Sequence, residues 1–234
     1  MTSCKSIIVT GGASGIGLAV TRHFASQGHH VAILDMNGDS GPGVAASVGA
    51  EFIQSCISFY QCDVSSWEEQ AAVFKKVFHK QGDRIDIVVA NAGVSEQGVT
   101  TLVGHDDDAD EPTRPKIKTV EVNLLGAIYC KWCWLWLIDH LRDVGKADLW
   151  SSELSAVNLA VHYMKKNYMR EGESPRGSII CTASNAGLYP LPIAPLYAAS
   201  KFGVVGLVRS TAKVIEKADI QINALAPAVL GMWT

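Results

Sequence analysis

The sequence carries no excess of charge of either sign: 20 Lys and Arg against 23 Asp and Glu give a formal net charge of −3 and a pI near 6.1. Such a chain has no general field to draw nucleic acid or an anionic membrane surface to it, so a small molecule is the expected partner. Charged residues make up only 18% against 48% apolar, which excludes a disordered chain and fits a packed core rather than a membrane-spanning one. The six cysteines, at 4, 56, 62, 130, 133 and 181, show no disulfide-like or paired zinc-like spacing apart from Cys130-Lys-Trp-Cys133. Reduced thiols follow. A lone C-x-x-C is at most half a metal site, no second pair or His cluster completes it, and no metal is expected. The opening MTSCKSIIVTGG runs directly into an apolar strand and a glycine turn, which leaves no room for a charged leader and points to the cytoplasm. A length of 234 residues suits a single domain with one continuous core.

What is present begins with a strand-turn-helix-strand unit. Ser6 to Thr10 is a short β-branched run, Gly11, Gly12, Gly15 and Gly17 follow, and an amphipathic stretch then ends at Gly28. His30 to Asp35 is a second apolar strand with a carboxylate at its end. Glycines let backbone approach a pyrophosphate, and the N–H groups and dipole at the start of a helix stabilise its charge. Asp35 stands where a carboxylate accepts hydrogen bonds from an adenosine ribose and repels a 2′-phosphate, and neither Arg nor Lys occupies 14, 36 or 37. The cofactor expected is NAD rather than NADP.

The alternation continues through a strand at Phe59–Val64, helical spacing over Trp67–Lys80, and a buried strand Ile85–Ala90 running into Asn91-Ala92-Gly93. This predicts an α/β, Rossmann-like, doubly wound parallel sheet with helices on both faces. Its ligand crevice lies beyond the carboxyl ends of the strands, where Asp35, Asp63 and Asn91 converge. Asp63 can equally precede a helix cap, and the two roles can coexist. The acidic run from His105 to Glu111 reads as a solvated loop.

After a strand Ser178–Thr182 come Ser184, Tyr197 and Lys201, the last two four apart at the start of a helical stretch. On a helix they share a face. A phenol is a poor base at neutral pH, and a nearby ammonium favours its ionised form. Tyr197 thus reads as a proton acceptor with Ser184 as an orienting hydroxyl, the demand made by removal of hydride from a carbinol carbon.

Together, Thr10-Gly-Gly-Ala-Ser-Gly-Ile-Gly17, Asp63-Val64, Asn91-Ala92-Gly93, Asn123, Ser184 and Tyr197-x-x-x-Lys201 resemble the short-chain dehydrogenase/reductase family over residues 5–130 and 156–230. The stretches CDVSSWEEQ and VNLLGAIY…HYM are most similar to its 15-hydroxyprostaglandin-dehydrogenase-like members. The resemblance implies interconversion of a secondary alcohol and a ketone. Tyr197 would be the general acid/base, Lys201 a ribose ligand and modifier of the phenol, Ser184 a partner of the carbonyl oxygen, and Asn123 part of a proton relay. Gly11, Ser14, Gly15, Ile16, Gly17, Asp35, Asp63, Val64, Asn91, Ala92 and Gly93 would hold the dinucleotide together with Tyr197 and Lys201.

Two stretches depart from that pattern. Residues 131–155 are extra relative to a family helix of four or five turns (about 25 residues), and the chain stops at Gly231-Met-Trp-Thr234 after the sixth strand, short of the family's substrate-covering segment. Trp132, Trp134, Trp136, Trp150 and Trp233, five of the six tryptophans, lie in these two places. Both read either as translated introns, since Cys-Lys-Trp and Gly-Met-Trp can be encoded by strings containing GTAAGT and GTATGT, or as a real apolar insertion that packs on a partner. The resemblance implies a homo-oligomer, but the insertion falls in the helix many members use to dimerise. The rival to an active enzyme is therefore a catalytically impaired NAD-binding relic. A mature transcript retaining both segments removes the intron reading.

Overall fold

The computed structural model describes residues 4–96, 116–128, 156–169, 172 and 174–228. In chain order the elements are β1 (Ser6–Thr10), α1 (Gly15–Ser26), β2 (His30–Asp35), α2 (Gly41–Glu51), β3 (Cys56–Gln61), α3 (Trp67–Lys80) and β4 (Ile87–Ala90). A short helix α4 (Lys118–Val120) then runs through a π-helical turn (Glu121–Leu125) into α5 (Gly126–Ile128). After these come α6 (Ala156–Met164), β5 (Gly177–Thr182), a 3₁₀ turn (Asn185–Gly187), α7 (Pro195–Glu216) and β6 (Ile220–Leu225). The six strands form one sheet in the order 3-2-1-4-5-6, parallel throughout as the alternation of strand and helix predicts.

Apolar residues fill both faces of the central strands because helices cover both. In β1, Ile8 joins the large cluster of Phe74, Val77, Val157, Met164, Ile179 and Val204, while Ile7 and Val9 point the other way with Val20 and Phe24. Successive strand side chains alternate in direction, so a strand buried on both faces reads as a continuous apolar run.

Two strand boundaries differ from expectation. β3 occupies Cys56–Gln61 rather than Phe59–Val64 because its ladder with β2 runs from His30–Cys56 to Asp35–Gln61, which leaves Cys62, Asp63 and Val64 beyond the sheet. β4 starts at Ile87 because Ile85 bonds elsewhere: the buried Asn167 side chain accepts from Ile85 N–H at 3.1 Å and donates to its carbonyl at 2.7 Å. Asn167 also donates to the Arg176 carbonyl at 3.0 Å, and so pins the entries of β4 and β5 together. Beside it the buried pair Arg84–Asp86, at 2.5 Å, is further satisfied by Ser6 N–H donating to Asp86 and by Arg84 donating to the Tyr168 carbonyl.

The 131–155 segment with Cys133, Cys130 just before it, the acidic run 105–111 and the last four residues lie outside the described residues. Among those described, no helix is long and apolar enough to cross a membrane, and no group of His, Cys, Asp and Glu could hold a metal ion.

Replacing Asn167 with Ala strands a buried N–H and two buried carbonyls. Urea unfolding should show a loss of roughly 3 kcal/mol with the slope unchanged.

Candidate active site

The turn between β1 and α1 is built by close backbone approach. Gly11 has φ +63°, its N–H donates to the Leu34 carbonyl at 2.7 Å, and a Cβ there would lie 2.9 Å from Ala92 Cα. A Cβ on Gly17 would come to 2.0 Å from the Gly11 carbonyl oxygen, so the helix can start that near the turn only with glycine. Gly15, at φ +49°, faces open space. Ser14 caps α1 with extended backbone and no side-chain bond, and Ile16 in the first turn is 42% exposed. The first N–H groups of a 12-residue helix thus face a backbone-walled opening. That cradle fits a pyrophosphate.

Asp35 closes one side. Its carboxylate accepts from Ala13 N–H and from Asn37 N–H, both at 3.1 Å, bracing the glycine turn against the loop after β2. Positions 14, 36 and 37 are Ser, Met and Asn, none of them cationic.

Asp63 serves the local turn into α3. Its Oδ1 accepts from Ser65 N–H at 2.8 Å and Ser65 Oγ at 2.6 Å, and Lys118 Nζ lies 3.4 Å from Oδ2. Burial pushes the carboxyl upward, but the Ser65 bonds and the Lys118 cation outweigh it, and the net shift is downward. Ser66 caps α3 by accepting from Glu69 N–H, and the Glu69 side chain accepts from Asp63 N–H. The cap-related reading of Asp63 is therefore present in the geometry. The adjacent Val64 packs under Gly126.

Asn91 joins the two halves of the site. Its N–H and that of Ala92 both donate to Thr10 Oγ1 at 3.0 Å, and its Nδ2 donates to the carbonyls of Thr10 and Gly11. Its Oδ1 accepts from Thr182 Oγ1 at 3.2 Å, and the Thr182 carbonyl accepts from Lys201 Nζ at 2.7 Å. Gly93 sits between Asn123 and Lys201, a Cβ there lying 3.2 Å from Asn123 Oδ1 and 3.5 Å from Lys201 Nζ.

Lys201 is 4% exposed, and its ammonium lies 5.7 Å from the centre of the Tyr197 ring, one turn earlier on α7. Burial pushes the amine down to about 8, with the neighbouring Cys181 opposing the shift. Burial likewise pushes the Cys62 and Cys181 thiols up to about 12, which keeps both protonated and unreactive.

Asn123 lies in the π-helical turn, a feature frequent at functional sites. Its side chain accepts from Val94 N–H at 2.7 Å and donates to the Val94 carbonyl at 2.9 Å and to Ser200 Oγ at 3.2 Å. Ser184, 8% exposed, donates to Asn185 Oδ1 and accepts from Ala186 N–H, capping the 3₁₀ turn. Sequence reasoning did not single out Thr10, Thr182, Val94, Glu96 or Ser200 as parts of this network. Hydroxyls at the carboxyl ends of β1 and β5 were the visible signal for the two threonines.

A glycine turn opening onto a helix start at the carboxyl edge of a doubly wound parallel sheet, joined through hydrogen bonds to a lysine-tyrosine pair, makes this a Rossmann-like α/β protein. The short-chain dehydrogenase family model matches residues 5–146 and 141–232, and the chain belongs to that family. The junction of the two matched pieces falls inside 131–155. A short-chain dehydrogenase/reductase of Penicillium rubens, prx4, is 34% identical over 225 residues, 96% of this chain and 54% of its own length. The chain thus spans about half of that relative. The NADP-dependent dehydrogenase clz5 of Cochliobolus lunatus is 32% identical over 231 residues, 97% of this chain and 71% of its own length. A crystal structure of NAD+-bound xylitol dehydrogenase shares the fold, with TM-score 0.71 and 24% identity over 98% of this chain and 72% of its own.

Because the folded amine sits near 8 against its ordinary 10.5, Lys201 adds stability that is fully present above pH 10.5 and lost as pH falls through 8. The stability difference between the wild type and Lys201→Met should shift by about 3 kcal/mol in favour of the wild type across that window, read by denaturant unfolding at several pH values.

Proposed function

We propose that the chain is an NAD-dependent oxidoreductase that interconverts a secondary alcohol and a ketone, with Tyr197 as the group that takes up or gives the hydroxyl proton. The observation that carries this reading is the buried ammonium of Lys201, held 5.7 Å from the Tyr197 ring centre and hydrogen-bonded to the same Thr182 that bonds Asn91. A cation fixed beside a phenol stabilises negative charge that develops on its oxygen as the proton leaves, and more so where water is excluded. Lys201 also lies near Gly93 at the end of β4, and its ammonium would bind a ribose hydroxyl of the cofactor. The glycine turn and the start of α1 would hold the pyrophosphate, and Asp35 the adenosine ribose. When bound, the nicotinamide supplies the acceptor or donor of hydride.

The preference for NAD rests on the Asp35 carboxylate. A 2′-phosphate placed there would meet a negative charge already aligned on the Ala13 and Asn37 amides, with no cation at 14, 36 or 37 to offset it. The relative clz5 is named for NADP, which makes the choice of dinucleotide a property to be measured for this chain.

One observation favours a second reading, a chain that binds the dinucleotide without turnover: the Ser184 hydroxyl is already engaged with Asn185 Oδ1 and Ala186 N–H, so it would have to exchange a bond to orient a carbonyl. A single variant separates the readings. Tyr197→Phe should lower kcat by at least about 100-fold while dinucleotide affinity stays within about twofold. Retained turnover in that variant removes Tyr197 as the proton group, and cofactor binding with no turnover in the wild type supports the relic. In the same assay, Asp35→Ala should reduce the ratio of kcat/KM for NAD over NADP by at least about tenfold.

A further inference from the structure

We propose that Glu96 is a positioning residue that fixes Tyr197 by capping α7 from across the crevice. The proposal rests on Tyr197 being the proton-transfer group. Helix α7 cannot cap itself: Ala194 at its N-cap has no side-chain acceptor, and Pro195 at its first position has no N–H. The next two N–H groups, those of Leu196 and Tyr197, both donate to Glu96 Oε2, at 3.1 and 3.3 Å, although Glu96 lies about a hundred residues earlier in the chain. A carboxylate there meets the positive end of a 22-residue helix. Its other oxygen, Oε1, is buried without a hydrogen-bond partner, so this side chain is not a solvated surface charge.

The bond closes a circuit. Two residues before Glu96, Val94 is held at N–H and carbonyl by Asn123, whose amide donates to Ser200 Oγ. The Ser200 hydroxyl in turn donates to the Tyr197 carbonyl at 2.7 Å. Tyr197 is therefore held at its N–H by Glu96 and at its carbonyl by Ser200, and both restraints lead back to the 94–96 segment that leaves β4. Lys201 is anchored independently, through Thr182 on β5. Uncapped first turns fray, and Tyr197 stands in the first turn while Lys201 stands one turn deeper. Loss of Glu96 would release the phenol and leave the ammonium in place.

The test uses the full chain as wild type, Glu96→Ala and Glu96→Gln, with circular dichroism to establish folding. Four quantities are read: amide exchange of the peptide covering 195–201, NAD affinity by fluorescence titration, and kcat and KM over a panel of secondary alcohols. In Glu96→Ala, exchange at Leu196 and Tyr197 should quicken by about tenfold or more. In the same variant kcat should fall by about tenfold, with NAD affinity and the KM for NAD within about twofold. Glu96→Gln keeps a carbonyl oxygen in the same place and should recover most of both losses. Wild-type exchange rates and kcat in Glu96→Ala overturn the proposal. So does a parallel collapse of folding and NAD affinity in both variants, which marks a merely structural role. If the wild type binds NAD but turns over no alcohol, the functional reading fails, and the exchange result alone still decides whether Glu96 caps the helix.

Discussion

The site depends on the seating of one side chain, Asn91, at the carboxyl end of β4. It bonds Thr10 and Gly11 of the adjoining strand and turn on one side and Thr182 of β5 on the other, and Thr182 carries Lys201. β1, β4 and β5 are neighbours in the sheet, and neighbouring strands are spaced at about 4.8 Å. The separation between the glycine turn and the lysine is thus set by the sheet and not by any loop. Loops can vary around this edge without changing the distance between the nucleotide cradle and the cation.

That edge is polar in an otherwise apolar interior. Thr10, Asn123, Ser184, Ser200 and Lys201 are all less than a tenth exposed, yet each has a defined hydrogen-bond partner. Satisfied networks of this kind rigidify a site, whereas a half-satisfied one would destabilise it. Lys201 is the costly member, because burial works against its charge. The fold bears that cost by giving the amine a fixed acceptor, the Thr182 carbonyl, at 2.7 Å.

Much of this was legible in the sequence, for identifiable reasons. Strands covered on both faces read as unbroken apolar runs, so β1, β2 and β4 stood out, and helices between them fixed a parallel order. The glycines at 11, 15 and 17, Asp35 and the Tyr197–Lys201 spacing are local patterns: the glycines fall at the turn into α1 and its first residues, Asp35 ends β2, and Tyr197 and Lys201 stand one turn apart on α7. The errors arose from partners remote in sequence. β3 was set three residues late because its extent follows from the ladder with β2, and β4 lost Ile85 to a clamp from Asn167, 82 positions away. Glu96 carries no local signal at all, since its significance appears only when α7 is laid beside the end of β4. Asp63 was read with two roles, and the bonds to Ser65 and from Glu69 supply the local one.

Ser184 and Asn123 were read together as reactive, but their hydrogen bonds divide them. A hydroxyl has one proton and two acceptor sites, so Ser184 can keep accepting from Ala186 N–H while its proton turns from Asn185 Oδ1 to a carbonyl oxygen. One hydrogen bond is exchanged for another, and the net change is small. Its capping role and an orienting role are therefore compatible. Asn123 has no such freedom: both of its amide protons are engaged, one on the Val94 carbonyl and one on Ser200. Turning that amide toward a proton chain would free Val94 and slacken the Ser200 hydroxyl that holds the Tyr197 carbonyl. If Tyr197 is the proton-transfer group proposed above, the Asn123 side chain would serve it by keeping the backbone of Tyr197 still through Ser200.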